Sequence, residues 1–142
     1  MNIEYITKDE AETIKVADNF ATSLKKGSVV ALIGELGSGK TVFAKGVARA
    51  LGVKEKVTSP TFTIIHEYDG YIPMYHMDLF RINTETEMRD IGIEDYFFGD
   101  GICLVEWAEK LGELFPNNAF RVRLEHFGPT CRKIEIERPD SG

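Results

Sequence analysis

The spacing of apolar and polar positions changes several times along the chain, and each change marks an element. Ser28-Val29-Val30-Ala31-Leu32-Ile33 is an apolar run without alternation and predicts a buried parallel strand. Thr41–Leu51 has helical spacing, and Gly52 suits its stop. Gly46, inside that helix, predicts close packing against the sheet. Upstream, Ile14, Ala17, Ala21 and Leu24 share one stripe with Phe20 beside it, which predicts another helix. Thr7-Lys8-Asp9-Glu10 reads as its capping box, with Thr7 as N-cap and Glu10 at the third helical position. Lys25 and Lys26 suit the C-terminal dipole of that helix, and Gly27 its end. Residues 2–6 read as a short strand.

Beyond Gly52, Thr61–Tyr68 reads as a strand, Asp69-Gly70 as a two-residue hairpin turn and Tyr71–Asp78 as the returning strand. Pro73 predicts a bulge or an unpaired side on that return. Thr84-Glu85-Thr86-Glu87 is a second capping box opening a short helix. Gly101–Glu106 is another buried strand, and residues 108–114 read as a short helix closed before Pro116. Phe120–His126 and Arg132–Glu137 alternate and predict a terminal antiparallel pair. Pro139–Gly142 reads as a loose tail. No repeat or low-complexity segment interrupts this order.

A chain of 142 residues suits one domain, 1–142, and buries about two-thirds of its unfolded surface. The longest apolar runs, about five residues, are too short to span a bilayer. Met1–Tyr5 shows no basic–apolar leader pattern. Two cysteines, Cys103 and Cys131, do not make a disulfide framework, and Cys103 lies in an apolar run as a core residue would. The expectation is a cytoplasmic protein without membrane association. A net charge of −6 argues against a large autonomous nucleic-acid footprint, although not against a role within a larger assembly.

The chemistry begins at Gly34-Glu35-Leu36-Gly37-Ser38-Gly39-Lys40-Thr41. It matches the phosphate-binding pattern G-x-x-x-x-G-K-[ST] and lies between a buried strand and a helix, as that pattern requires. Its glycines let backbone N–H groups converge on an anion, and the helix N-terminus adds partial positive charge. Lys40 is placed for the β- and γ-phosphates, and the Thr41 hydroxyl for a magnesium ion. A phosphate loop also needs an acid at the end of a neighbouring strand. Glu106, which ends Ile102–Glu106, is the preferred metal carboxylate, because the carboxyl edge of an open α/β sheet is where ligands bind. Asp78 is then left for the attacking water or for holding a mobile segment. Plain alternatives stand beside these roles: a surface acid for Glu106 and a turn or N-cap acid for Asp78. Thr58-Ser59-Pro60-Thr61 reads either as a switch-like segment near the γ-phosphate or as a Ser-Pro turn. His76 shares a strand face with Asp78, and a structural role is favoured for it over a catalytic one. Trp107 suits packing against a base, against a loop, or in the core. No His, Cys and Asp spacing resembles a zinc site.

Five motifs occur in order: Gly34–Thr41, Thr58-Ser59-Pro60-Thr61-Phe62, His76-Met77-Asp78-Leu79-Phe80-Arg81, Gly92-Ile93-x-Asp95-Tyr96-Phe97 and Leu104-Val105-Glu106-Trp107. Together they resemble the small bacterial ATPase family TsaE, also called YjeE, over essentially the whole chain. The resemblance implies a three-layer P-loop NTPase fold of the α/β class with a mixed central sheet. It implies ATP and Mg2+ as cofactors and ATP hydrolysis that is weak in isolation. It also implies partners resembling TsaB and TsaD, and a part in forming threonylcarbamoyladenosine at position 37 of tRNAs that read codons beginning with A, with tRNA met through the complex. Residue by residue, it implies Lys40 and Thr41 on phosphate and magnesium, Glu106 on magnesium directly or through water, Asp78 in a switch-II-like segment, and Thr58–Thr61 as a switch-I-like segment. Glu10 and Arg132 fall where the family's chain ends border the nucleotide. Ser38 stands where alanine is common and Phe80 where tyrosine is common, so no role can need a phenol at that position.

Other functions fit the same loop less well. A small kinase needs an arginine-bearing lid and an acceptor pocket, whereas arginines here are spread thinly. A GTP switch carries an N-K-x-D element, which is absent. A nucleotide-bound interaction module with little turnover remains compatible with the motif set.

Overall fold

The computed structural model describes residues 2–35, 37–58 and 64–139. The elements, in chain order, are β1 (Asn2–Thr7), α1 (Glu10–Ala21), β2 (Val29–Ile33), α2 (Lys40–Ala50), β3 (Ile65–Tyr68), β4 (Met74–Asp78), α3 (Glu85–Asp90), α4 (Ile93–Phe97), β5 (Ile102–Glu106), a 3-10 segment (Ala108–Leu114), β6 (Phe120–His126) and β7 (Arg132–Glu137). The strands form one seven-stranded sheet in the order β1-β7-β6-β2-β5-β4-β3. β6, β2, β5 and β4 run parallel in its centre, and β3, β7 and β1 add antiparallel margins. The sheet is mixed, as expected.

Alternation along the central strands divides the core in two. Val30, Leu32, Ile102 and Leu104 face α1 and α2, packing with Phe20, Phe43 and Val47. Val29, Ala31, Cys103 and Val105 face the other way and pack with Met88, Ile93, Phe97 and Leu111. Both faces of the sheet are therefore covered, which makes three layers and explains why the parallel strands read as unbroken apolar runs.

Three local expectations around α1 and α2 are corrected. The N-cap of α1 is Asp9 rather than Thr7: Asp9 Oδ1 accepts from Glu12 N–H at 2.9 Å, and Glu12 accepts from Lys8 N–H at 2.7 Å. Thr7 stays in β1 opposite Arg132, and its hydroxyl meets that of Thr13 at 2.8 Å. Helix α1 ends at Ala21, with Thr22 bonded back to the Asn19 carbonyl. Gly27, Lys25 and Lys26 lie beyond it in the loop to β2. Gly46 packs on α1 rather than on the sheet, since a Cβ there would lie 2.5 Å from Ala17 Cβ and 2.6 Å from the Ile14 carbonyl.

The β3–β4 hairpin closes Tyr68 on Met74, so residues 69–73 form a longer loop instead of a two-residue turn at Asp69-Gly70. That loop docks on the end of α2, where Tyr71 N–H donates to the Leu51 carbonyl at 2.6 Å. Pro73 lies just outside β4, and its carbonyl accepts from Ile102 N–H. The second capping box forms as expected, with Glu87 N–H donating to Thr84 Oγ1 at 3.1 Å. Residues 59–63, with most of the proposed switch segment and the start of the expected strand, lie outside the described residues, as do Leu36 and 140–142 of the expected tail.

Candidate functional site

The parallel strands β2, β5 and β4 end side by side, with Leu32 opposite Glu106 and Glu106 opposite Asp78. This carboxyl edge is where an open α/β sheet receives a ligand. The loop after β2 turns back over it into α2. Gly39, at φ +107, makes the turn that brings Lys40 into the first helical position, a backbone state a side chain would resist.

A cavity of about 950 Å³ opens at this edge, a size that suits a nucleotide-sized ligand. From the phosphate-loop motif it is lined by Gly34, Glu35, Gly37, Gly39, Lys40 and Thr41. Asp78 and Glu106 line it from the strand ends. Glu10 and Arg132, distant in sequence, also line it, and Arg132 Nη2 donates to the Gly37 carbonyl at 3.3 Å.

Ser38 sits deeper in the loop than its neighbours and is almost fully buried. Its N–H donates to the Glu35 carbonyl at 3.0 Å, and the residue borders a smaller cavity with Gly34, Arg123 and His126. Ser38 Oγ occupies the space a Cβ on Gly34 would need and has no hydrogen-bond partner among the described residues. Leu36 lies outside the described residues.

At the centre, Glu106 has a different partner on each oxygen. Lys40 Nζ lies 3.3 Å from Oε1, and His76 Nε2 lies 2.8 Å from Oε2. Burial pushes the Glu106 carboxyl up, but His76 and Lys40 together outweigh it and hold the group below the ordinary glutamate value. Glu106 is therefore an anion facing a lysine across the mouth of the phosphate loop. Asp78 is turned differently: its Oδ1 accepts from Phe80 N–H at 2.9 Å, a turn that sets the direction of the chain leaving β4. Both roles foreseen for Asp78, at the ligand edge and as a turn acid, are compatible with this placement.

Several lining residues carried no signal in the sequence: Asp9, Thr13, Glu109 and Thr130 come to the cavity only through the fold. Trp107 and Phe80 stand at its edge with ring centroids 4.9 Å apart. Trp107 has φ +61, an uncommon state for a residue with a side chain, and it turns β5 into the 3-10 segment directly after Glu106. Lys110 donates to the Phe80 and Ile82 carbonyls at 2.6 and 3.1 Å and so ties that segment to the chain after β4.

The residues present suit a magnesium ion carried with a nucleotide. Thr41 and Glu106 border one cavity, one with a hydroxyl and one with a carboxylate. Among the described residues no group of three or more His, Cys, Asp or Glu gathers as a metal site. A nucleotide-borne magnesium needs none, since one or two protein oxygens plus phosphates and water complete its shell.

Among the described residues no helix is long and apolar enough to cross a membrane. The family model for "Threonylcarbamoyl adenosine biosynthesis protein TsaE" matches residues 7–134. The tRNA threonylcarbamoyladenosine biosynthesis protein TsaE of Bacillus subtilis (strain 168) is 44% identical over 133 residues, covering 93% of this chain and 83% of that protein. The protein of the same name from Treponema pallidum (strain Nichols) is 34% identical over 131 residues, covering 92% and 97%. The crystal structure of Bacillus subtilis YdiB superposes with a TM-score of 0.85 at 37% identity, covering 99% of this chain and 87% of that one. Motifs, site geometry, sequence and backbone agree, and the chain belongs to the TsaE family of tRNA threonylcarbamoyladenosine biosynthesis proteins.

Proposed function

We propose that this chain binds ATP with Mg2+ at the carboxyl edge of its sheet and hydrolyses it, in the service of threonylcarbamoyl transfer to adenosine 37 of tRNAs reading codons that begin with A. The observation that carries the reading is the pairing of Lys40, at the start of α2, with Glu106, at the end of β5, across one nucleotide-sized cavity. Lys40 supplies a charge-assisted contact to the β- and γ-phosphates. The Thr41 hydroxyl and Glu106 hold magnesium, which when bound neutralises charge on the phosphate oxygens. The charge around the cavity supports a need for the ion. Among the described residues lining it, Asp9, Glu10, Glu35, Asp78, Glu106 and Glu109 outnumber the cations Lys40 and Arg132, and such an acidic lining favours a triphosphate that carries its own cation. Asp78 directs water or the segment that follows β4.

Turnover by the chain alone is slow in this reading. Arg132, which lines the cavity, is engaged with the loop through the Gly37 carbonyl. Completing such a site in trans raises turnover by about a thousand-fold or more in related phosphoryl-transfer systems. We assign that completion to partners of the TsaB and TsaD kind, through which the chain meets tRNA, and we place the protein in the cytoplasm.

Steady-state phosphate release from ATP and GTP, alone and with TsaB, TsaD and tRNA, tests the reading. The expected result is slow, magnesium-dependent, ATP-selective release that the partners change. Mass spectrometry of tRNA nucleosides from a deletion strain is expected to show loss of threonylcarbamoyladenosine. Normal levels of that nucleoside, with release indifferent to the partners, would refute the biological assignment and leave the nucleotide site standing.

A further inference from the structure

Resting on the nucleotide reading above, we infer that His76 is a positioning residue that holds the Glu106 carboxylate in the orientation magnesium requires. β4 and β5 are parallel, with His76 opposite Leu104 and Asp78 opposite Glu106. The two-residue period puts all four side chains on the face that carries α2. His76 has no solvent exposure, and its Nε2 lies 2.8 Å from Glu106 Oε2. Lys40 holds the other oxygen at 3.3 Å, from inside the cavity.

The two partners of Glu106 differ in what they can do when phosphates arrive. Lys40 has a flexible stem and a second anion to bind, so Oε1 is freed toward the cavity. His76 is packed within the sheet layer and keeps Oε2. The carboxylate therefore retains one orientation while its other oxygen changes partner, which is how outer-sphere hydrogen bonds tune a metal ligand.

Hydrogen bonding settles the tautomer. A carboxylate only accepts, so Nε2 carries the hydrogen. Nδ1 has no partner among the described residues. If this position served packing alone, a leucine would match its neighbours Met74 and Leu104 and strand no ring nitrogen. The half-satisfied imidazole makes sense as a donor aimed at Glu106.

The test uses Mn2+ as the probe, by electron paramagnetic resonance on the full chain with a non-hydrolysable ATP analogue. His76→Leu is expected to weaken Mn2+ binding by about 10- to 100-fold, the loss typical of removing such a support. Affinity for the analogue in excess chelator should stay unchanged, and a thermal melt reports folding. His76→Gln, whose amide can present an N–H where Nε2 stood, is expected to bind Mn2+ within about threefold of wild type. Wild-type Mn2+ binding in His76→Leu, or binding by His76→Gln tenfold or more below wild type, would overturn the inference. If His76→Leu does not fold, His76→Gln decides alone on the same two limits. A wild-type chain that takes up no Mn2+ with the analogue overturns the nucleotide reading and this inference together.

Discussion

Replacing Lys40 with alanine separates two jobs done by one side chain, and the structure gives each a size. In the free protein Lys40 balances Glu106 at 3.3 Å, with side-chain exposures of only 13% and 8%. At that separation and an effective dielectric of about 20, the bare attraction is about 5 kcal/mol, most of it offset by desolvation. Breaking a fully buried pair costs about 3–5 kcal/mol. Here His76 still binds one oxygen and water reaches the cavity side, so a loss of about 1–2 kcal/mol is expected, with the melting temperature falling by about 3–8 °C. The second job is the phosphate contact. Its loss removes about 2–4 kcal/mol of binding or transition-state stabilisation, roughly 30- to 1000-fold. Thermal melts, calorimetry with ATP and magnesium, and phosphate release measure both on the same samples. The double variant Lys40→Ala with Glu106→Gln removes the stranded charge, so it should melt above Lys40→Ala while remaining as poor with nucleotide. A folded Lys40→Ala variant that binds and hydrolyses ATP like wild type would refute the site. A double variant no more stable than Lys40→Ala would refute the charge-balance argument.

Glu106→Gln should raise the magnesium requirement for turnover, whereas Asp78→Asn should lower turnover with nucleotide affinity largely kept; a magnesium titration showing the reverse pattern would invert the two assignments. Because the Glu106 carboxyl is held below its ordinary value, its stabilising effect is present above that ordinary value and lost as pH falls through the lower folded one, so Glu106→Gln should flatten the acid side of a melting-temperature profile. Gly46→Ala should lower stability by about 1–2 kcal/mol in denaturant melts, despite a helix-propensity gain of about 1 kcal/mol, because the new methyl meets Ala17 Cβ and the Ile14 carbonyl; a stabilised variant would sink the close-packing argument. Burial pushes the Cys103 thiol up to about 12, so thiol reagents near neutral pH should label Cys131 in the native protein and both cysteines only after unfolding.

Much of the central layer is legible along the chain because its causes are local. An apolar run buried on both faces of a sheet looks the same wherever it pairs, so β2 and β5 are recognisable without knowing their neighbours. The phosphate loop is a contiguous backbone device, and its spacing alone names Lys40 and Thr41. Thr84 caps α3 through residues within one turn of it, and that cap also reads correctly. Two of the errors fall where a sound local signal yields to a distant contact. Thr7 and Asp9 are both able caps, but pairing of Thr7 with Arg132 keeps it in β1 and leaves the cap to Asp9. Asp69-Gly70 is a good turn pair, yet docking of Tyr71 on the end of α2 opens the hairpin into a longer loop.

The amino-acid sequence by itself determined the class of fold, the phosphate loop, and two acids at strand ends as candidates for the metal and the water. Only the tertiary structure decided how they meet. Strand order is not written in any one segment, because it depends on which edges find each other across the whole sheet. The order β2-β5-β4 sets Glu106 between Lys40 and His76 and gives each of its oxygens a separate partner. The margins β7 and β1 deliver Arg132 and the start of α1, with Glu10, to the same cavity. The same three-dimensional packing buries the Ser38 hydroxyl within the loop, which its place in the motif does not reveal.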